Sequence, residues 1–333
     1  MTYIAKQARE TLKRLVFGSA AVPQQCGIGL RDPQSEVSVW LHGFGPPRDV
    51  TYRNVVAAAR PFTIGVGLEQ DDRAVAINGT PASLEFRERG GEQHRLGEIY
   101  LGPADLVPVG EHKLCLLRAQ RCRNYCLPRP RLWARYLQYD YEQRRRERRS
   151  GGSIIRMPAR ELHSLFVFYI CPRPVVLVSV ADGDLVNIFP MDLIGSIAPG
   201  YFSLALHSTS AAAPLMERSR KVALGSVPVE QASIAYELGK NHKRPCIDWA
   251  QIAFTTNPSP LFGIPVPSFS LRVRELQIEA VRTIGTHKLF LARTVEDQSW
   301  SDGPQLFFVH GFYQAWRQQP KHQAAAVFTS EAN

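Results

Sequence analysis

A chain of 333 residues is long for one core and suits two domains of about 100–200 residues each. With 44% hydrophobic and 21% charged residues it is neither disordered nor fibrous in composition, and its longest apolar runs, 174–180 and 166–170, fall short of the ~20 residues that span a bilayer. The net charge of +10 is uneven, with 24 Lys and Arg against 16 Asp and Glu in residues 1–150 and 16 against 14 in the rest. No signal peptide is evident at the N-terminus, so the expected location is cytoplasmic and no membrane contact is expected.

Residues 3–17 place Ile4, Ala8, Leu12, Leu15 and Val16 at helical spacing. Strands are expected at 36–41, 62–68, 74–77, 82–88 and 114–119, with Asn78-Gly79 as a hairpin turn. At 132–141 the period lengthens, and Leu132, Trp133, Tyr136, Leu137 and Tyr141 fall on one helical face ahead of the run Arg144-Arg145-Arg146-Glu147-Arg148-Arg149. The composition of Ser150-Gly151-Gly152-Ser153 is that of a linker. Residues 1–150 therefore read as an α+β domain of unknown fold with a mostly antiparallel sheet and a basic terminal helix.

Beyond the linker, 159–170 gives a short helix and 173–180 a strand, followed by an Asp182-Gly183-Asp184 turn. Further strands are expected at 186–197, 201–207, 222–227, 271–284, 289–295 and 306–313, with helices at 213–220 and 229–238. Many short antiparallel strands with few helices suggest a small barrel over 154–317; residues 318–333 read as a disordered tail, and no repeat of solenoid period is present. The overall expectation is an α+β or mainly β fold. A proline inside a strand cannot donate to the ladder, so Pro190 belongs at a sheet edge or beside a ligand.

Five stretches carry a resemblance: Arg173-Pro174-Val175-Val176-Leu177-Val178-Ser179, Asn187-Ile188-Phe189-Pro190-Met191, Ala205-Leu206-His207-Ser208-Thr209, Gly285-Thr286-His287-Lys288-Leu289-Phe290 and Phe307-Phe308-Val309-His310-Gly311-Phe312-Tyr313. In this order they resemble the flavin reductase-like family of FMN-binding split β-barrels, over about half the chain. The family usually has an acidic residue where this chain has Thr286. The resemblance implies an FMN-dependent oxidoreductase, with FAD as the other possible flavin and NAD(P)H as co-substrate. It also implies a homodimer acting on a small molecule or serving a partner monooxygenase. It places Asn187, Phe189, Pro190 and Met191 along the isoalloxazine, and Ser196, Ser208, Thr209 and Ser210 at the phosphate. Arg218 and Lys221 would supply positive charge there. His287 would face the side where nicotinamide stacks, with His310 and Tyr313 near the flavin. Hydride transfer asks the protein to orient two rings and exclude water, and needs neither metal nor nucleophile.

Two other classes stay open on the residues alone. The barrel would serve equally as a non-catalytic flavin or haem module, and the Arg-rich segment 118–149 has the charge for RNA or an acidic partner, although its aromatic residues suit a core better and nucleic acid is not favoured. Cys122 and Cys126 lack a second ligand pair, so they read as buried thiols and no metal is expected.

Overall fold

The structure, a computed structural model, describes residues 24–32, 35–69, 82–90, 92–149 and 157–319. The expected helix at 3–17, strand at 74–77, turn at Asn78-Gly79, linker at 150–153 and tail beyond 319 lie outside them. The described chain is mostly β with a few helices.

Its first half begins with β1 (Cys26–Leu30), β2 (Val37–His42), β3 (Arg48–Asp49) and β4 (Asn54–Ala59), continues through β5 (Phe62–Leu68) and β6 (Ala82–Glu88), and ends with the long hairpin β7 (Arg95–Val109) and β8 (His112–Asn124). β2 to β8 make one antiparallel sheet in the order β3-β2-β6-β7-β8-β5-β4. Period-two alternation puts Val37, Val39 and Leu41 of β2 and Phe62, Ile64 and Val66 of β5 into one core. Helices α1 (Arg129–Arg149) and α2 (Ala159–Phe168) follow.

The second half contains β9 (Arg173–Pro174), β10 (Val176–Asp182), β11 (Leu185–Met191), β12 (Ile194–Ala198) and β13 (Tyr201–His207), then α3 (Ala213–Ser219), β14 (Lys221–Ser226) and α4 (Ala232–Leu238). A small hairpin, β15 (Thr256–Pro258) with β16 (Pro265–Pro267), precedes the long hairpin β17 (Arg272–Ile284) and β18 (His287–Ser299), then β19 (Gln305–Val309) and α5 (Gly311–Arg317). Seven strands form an antiparallel sheet ordered β11-β10-β14-β17-β18-β13-β12. Its two edges, β11 and β12, are separated in sequence only by Asp192 and Leu193, so the sheet must curl until the edges meet. Val176, Val178 and Val180 of β10 face that interior, while Val175 and Leu177 pack outward with α4 and β19, which is why 174–180 reads as a continuous apolar run.

The two sheets have the same strand order. Taking β2 to β8 as β10 to β14, β17 and β18, every neighbour matches, and β15–β16 is an insertion in the second half. The long hairpins turn through two residues each, with Val109 opposite His112 and Ile284 opposite His287. Their sequences match as well: Gly110-Glu111-His112-Lys113-Leu114-Cys115-Leu116-Leu117-Arg118 against Gly285-Thr286-His287-Lys288-Leu289-Phe290-Leu291-Ala292-Arg293. The contacts between halves are reciprocal. A Cβ on Gly285 would strike the β4–β5 turn at Arg60 O, 2.1 Å away, and one on Gly110 would strike the β12–β13 hairpin at Tyr201 Oη, 2.6 Å away. Corresponding side chains, Val109 with Ile284, Leu114 with Leu289 and Leu116 with Leu291, share the core between them. This is the self-complementary contact of a two-fold dimer, built within one chain.

Further crossings knit the halves. β1 pairs with β19, which also pairs with β9. Phe312, Tyr313 and Trp316 of α5 and Phe166, Val167 and Phe168 of α2 lie in the first half's core. Buried Arg173 spans the halves, its Nη1 and Nη2 donating to Asn54 O at 3.0 Å and Asn54 Oδ1 at 2.6 Å, with its guanidinium 3.8 Å from the centre of the Phe168 ring.

Three local expectations change. The strand expected over 186–197 is two strands on opposite sheet edges, broken at Asp192 and Leu193. The strand expected over 306–313 stops at Val309, because His310 Nδ1 accepts from Phe312 N at 3.1 Å and caps α5. On α1, Leu132, Tyr136 and Tyr139 face α2, with the Tyr136 ring 3.6 Å from that of His163. Trp133, Leu137 and Tyr141, spaced by four, drift off that face and are exposed at 67%, 66% and 66%.

Candidate functional site

The β11–β12 corner opens a cleft of about 350 Å³, within the size range of small-ligand sites. Pro190, Met191 and Leu193 form one wall, Ala205 and Leu206 of β13 another, and His207, Thr209 and Ser210 the end. His242 and Lys243 cover it from one side, and His287 stands at its base.

Pro190 is on an edge strand, as expected. The carbonyls of Val186, Ile188 and Pro190 point away from β10 and accept from Ile247 N (2.9 Å), Asn241 Nδ2 (2.8 Å) and His242 Nε2 (2.8 Å). At that outward position a missing N–H removes no ladder bond. The segment 241–247, which lacks any motif, thereby seals the edge and brings Lys243 to the cleft.

His287 follows Gly285, whose φ of 53° makes the tight turn possible. Its Nδ1 accepts the Ala59 N–H at 3.3 Å, so the neutral ring carries its proton on Nε2. Burial, reinforced by His207 at 5.3 Å between ring centres, holds its pKa down at about 4. The ring is therefore a neutral donor at physiological pH.

Asp192 accepts from Tyr169 Oη at 2.7 Å and Gln25 Nε2 at 3.3 Å, and burial raises its pKa. At the cleft's end the backbone amides are committed within the protein: Ser208 N to Thr286 O, Thr209 N to His207 Nδ1, Ser210 N to His207 O and Ala211 N to His242 O. The Thr209 and Ser210 hydroxyls are bonded as well, to His207 Nδ1 at 2.7 Å and His242 O at 2.9 Å, so an anion there would meet the Lys243 side chain.

The structure brings Pro190, Met191, Thr209, Ser210 and His287 together, with Ser208 in the same turn. It places the other expected residues elsewhere. Asn187 is buried, and its Nδ2 donates to Arg244 O at 2.8 Å. Phe189 fills the barrel core. Ser196 lines a larger cavity of about 630 Å³ at the barrel's other mouth, where Arg272 and Arg274 are matched by Asp297. Arg218 pairs with Asp182 at 3.0 Å, and Lys221 lies 5.1 Å from the Phe262 ring centre. His310, 1% exposed, stacks on Phe166 at 4.2 Å, and Tyr313 donates to Glu36 at 2.8 Å; both belong to the first half's core. Sequence reading missed Leu193 and the contribution of Ala59.

Among the described residues no group of three or more His, Cys, Asp or Glu is placed to hold a metal. Burial raises the Cys122 thiol to about 11 and the Cys126 thiol further. No described helix is long and apolar enough to cross a membrane.

No family model matches the chain, and no curated protein matches it. Solved structures do. An NADH:FAD oxidoreductase of Streptomyces globisporus is similar at 15% identity over 48% of this chain and 94% of its own, with a TM-score of 0.42. The flavin reductase component of a bacterial two-component tryptophan halogenase is similar at 17% identity over 45% and 94%, with a TM-score of 0.39. An FMN-binding protein of Thermus thermophilus is similar at 22% identity over 38% and 71%, with a TM-score of 0.35. Each has under a quarter of aligned residues identical, so the functional reading rests on the cleft itself.

Proposed function

We propose that the β11–β12 cleft binds FMN and that the protein is a flavin-dependent oxidoreductase of flavin reductase type using NAD(P)H. The observation that carries the reading is the neutral His287 donor, held by the other half at the base of an apolar slot that ends in hydroxyls and Lys243. The lining fits the cofactor: Met191, Leu193 and Leu206 suit the flat ring, and Lys243 suits a phosphate. When bound, the flavin supplies hydride acceptance. The protein orients it, excludes water through 241–247, and offers the His287 Nε2–H to a ring heteroatom or an incoming carboxamide. Reduced flavin would pass to a small acceptor or a partner monooxygenase.

The test is titration of the purified chain with FMN, followed by addition of NADH or NADPH. Expected are quenching of flavin fluorescence with a Kd in the micromolar range or below, and bleaching of the flavin absorption band on adding the nicotinamide. FMN binding without bleaching would leave a flavin carrier and remove the oxidoreductase. No binding would remove the reading.

A further inference from the structure

We infer that the first half is a duplicated barrel whose own copy of the cleft has been closed, so that the chain holds one flavin and acts as its own second subunit. This rests on the flavin reading above.

The duplication lets the two clefts be compared position by position. Leu193, just before β12, corresponds to Arg53, just before β4; Ser208, just after β13, corresponds to Glu69, just after β5; and His287 corresponds to His112. In the second half these positions are an apolar wall, a hydroxyl and a neutral donor. In the first half polar contacts tie them: Arg53 Nη1 pairs with Glu69 Oε1, and His112 Nδ1 lies 3.1 Å from Glu69 Oε2. The Arg53 bond holds the Glu69 carboxyl below its usual range, so it is ionised. Where the second half has the Ser208 hydroxyl, the first has the Glu69 carboxylate. A carboxylate at the end of the slot repels a phosphate dianion, where the Lys243 ammonium attracts it. The floor differs too: a Cβ on Gly67 of β5 would sit 1.7 Å from Ile197 O, so backbone of the second half closes on the strand there.

What the first half gives is positioning. The Ala59 amide sets the His287 tautomer, Arg60 O accepts from Thr286 N at 2.8 Å, and Gln25 holds Asp192. The homodimer implied by the family resemblance is thereby not required to complete the site.

The experiment is equilibrium dialysis of the full chain against FMN, with light scattering on the loaded protein. One FMN per chain in a particle of one chain's mass is expected. His112→Ala should leave the Kd within about twofold, and Ser208→Glu, which copies the first half's Glu69 into the second, should raise it at least tenfold. Two FMN per chain, a flavin-dependent doubling of mass, or a tenfold loss in His112→Ala would overturn the inference and leave flavin binding intact. Absence of FMN binding would overturn both.

Discussion

At the scale of residues, burial keeps several histidines neutral. His287 and His163 are held near 4 and His310 near 3, against an ordinary 6.5. Their folded pKa values lie below the unfolded ones, so between about pH 4 and 6.5 the unfolded chain binds more protons than the native protein. Stability is then full above 6.5 and falls as the pH drops toward 4, by up to about 1.4 kcal/mol per unit of depression for each group. Asp192, shifted upward, acts in the opposite sense, one group against four, since burial lowers His242 too. Urea midpoints at pH 7.5, 6 and 5 should decline in that order, and equal midpoints would contradict buried neutral rings. The same burial explains which site residues sequence could reveal. His287 was legible because its turn carries a motif, whereas His310 shares an apolar, aromatic context that reads alike whether it faces a ligand or a core.

At the scale of elements, the two long hairpins set the geometry and their glycines carry it. Gly285 combines φ of 53° with a backbone oxygen 2.1 Å from any added Cβ, while Gly183, at φ 59°, has nothing within 4 Å. Gly183→Ala should cost about 1–2 kcal/mol from the left-handed conformation alone, and Gly285→Ala substantially more, because the Arg60 carbonyl must move and takes the Ala59 amide with it. Thermal melts of both variants check this; equal losses would mean that the inter-half contact yields freely. Most strands were legible from alternation, and the barrel from their number and brevity. The break at Asp192 and Leu193 was not, since a strand leaving one edge for the other keeps its apolar pattern across the corner. The duplication lay in plain view as Gly-x-His-Lys-Leu-x-Leu-x-Arg at 110–118 and 285–293. It is confined to the turn and the faces that meet between halves, where shape is most constrained, and alternation elsewhere looks the same in unrelated strands.

At the scale of the whole molecule, the halves should unfold together. Each draws part of its packing from the other, through β1 on β19, α5 and α2 in the first core, and Arg173 on Asn54. Calorimetry should give one transition with matching van't Hoff and calorimetric enthalpies; two separated transitions would show independent domains. The interleaving has a practical corollary for anyone wishing to dissect the protein. Scissors applied at residue 150 would leave an amino-terminal fragment without its aromatic lid and a carboxy-terminal fragment without the outermost ribbon beside 305–309. Such fragments would be expected to aggregate when expressed singly and to recover a native-like particle only when produced together, which makes this chain a natural candidate for split-protein complementation.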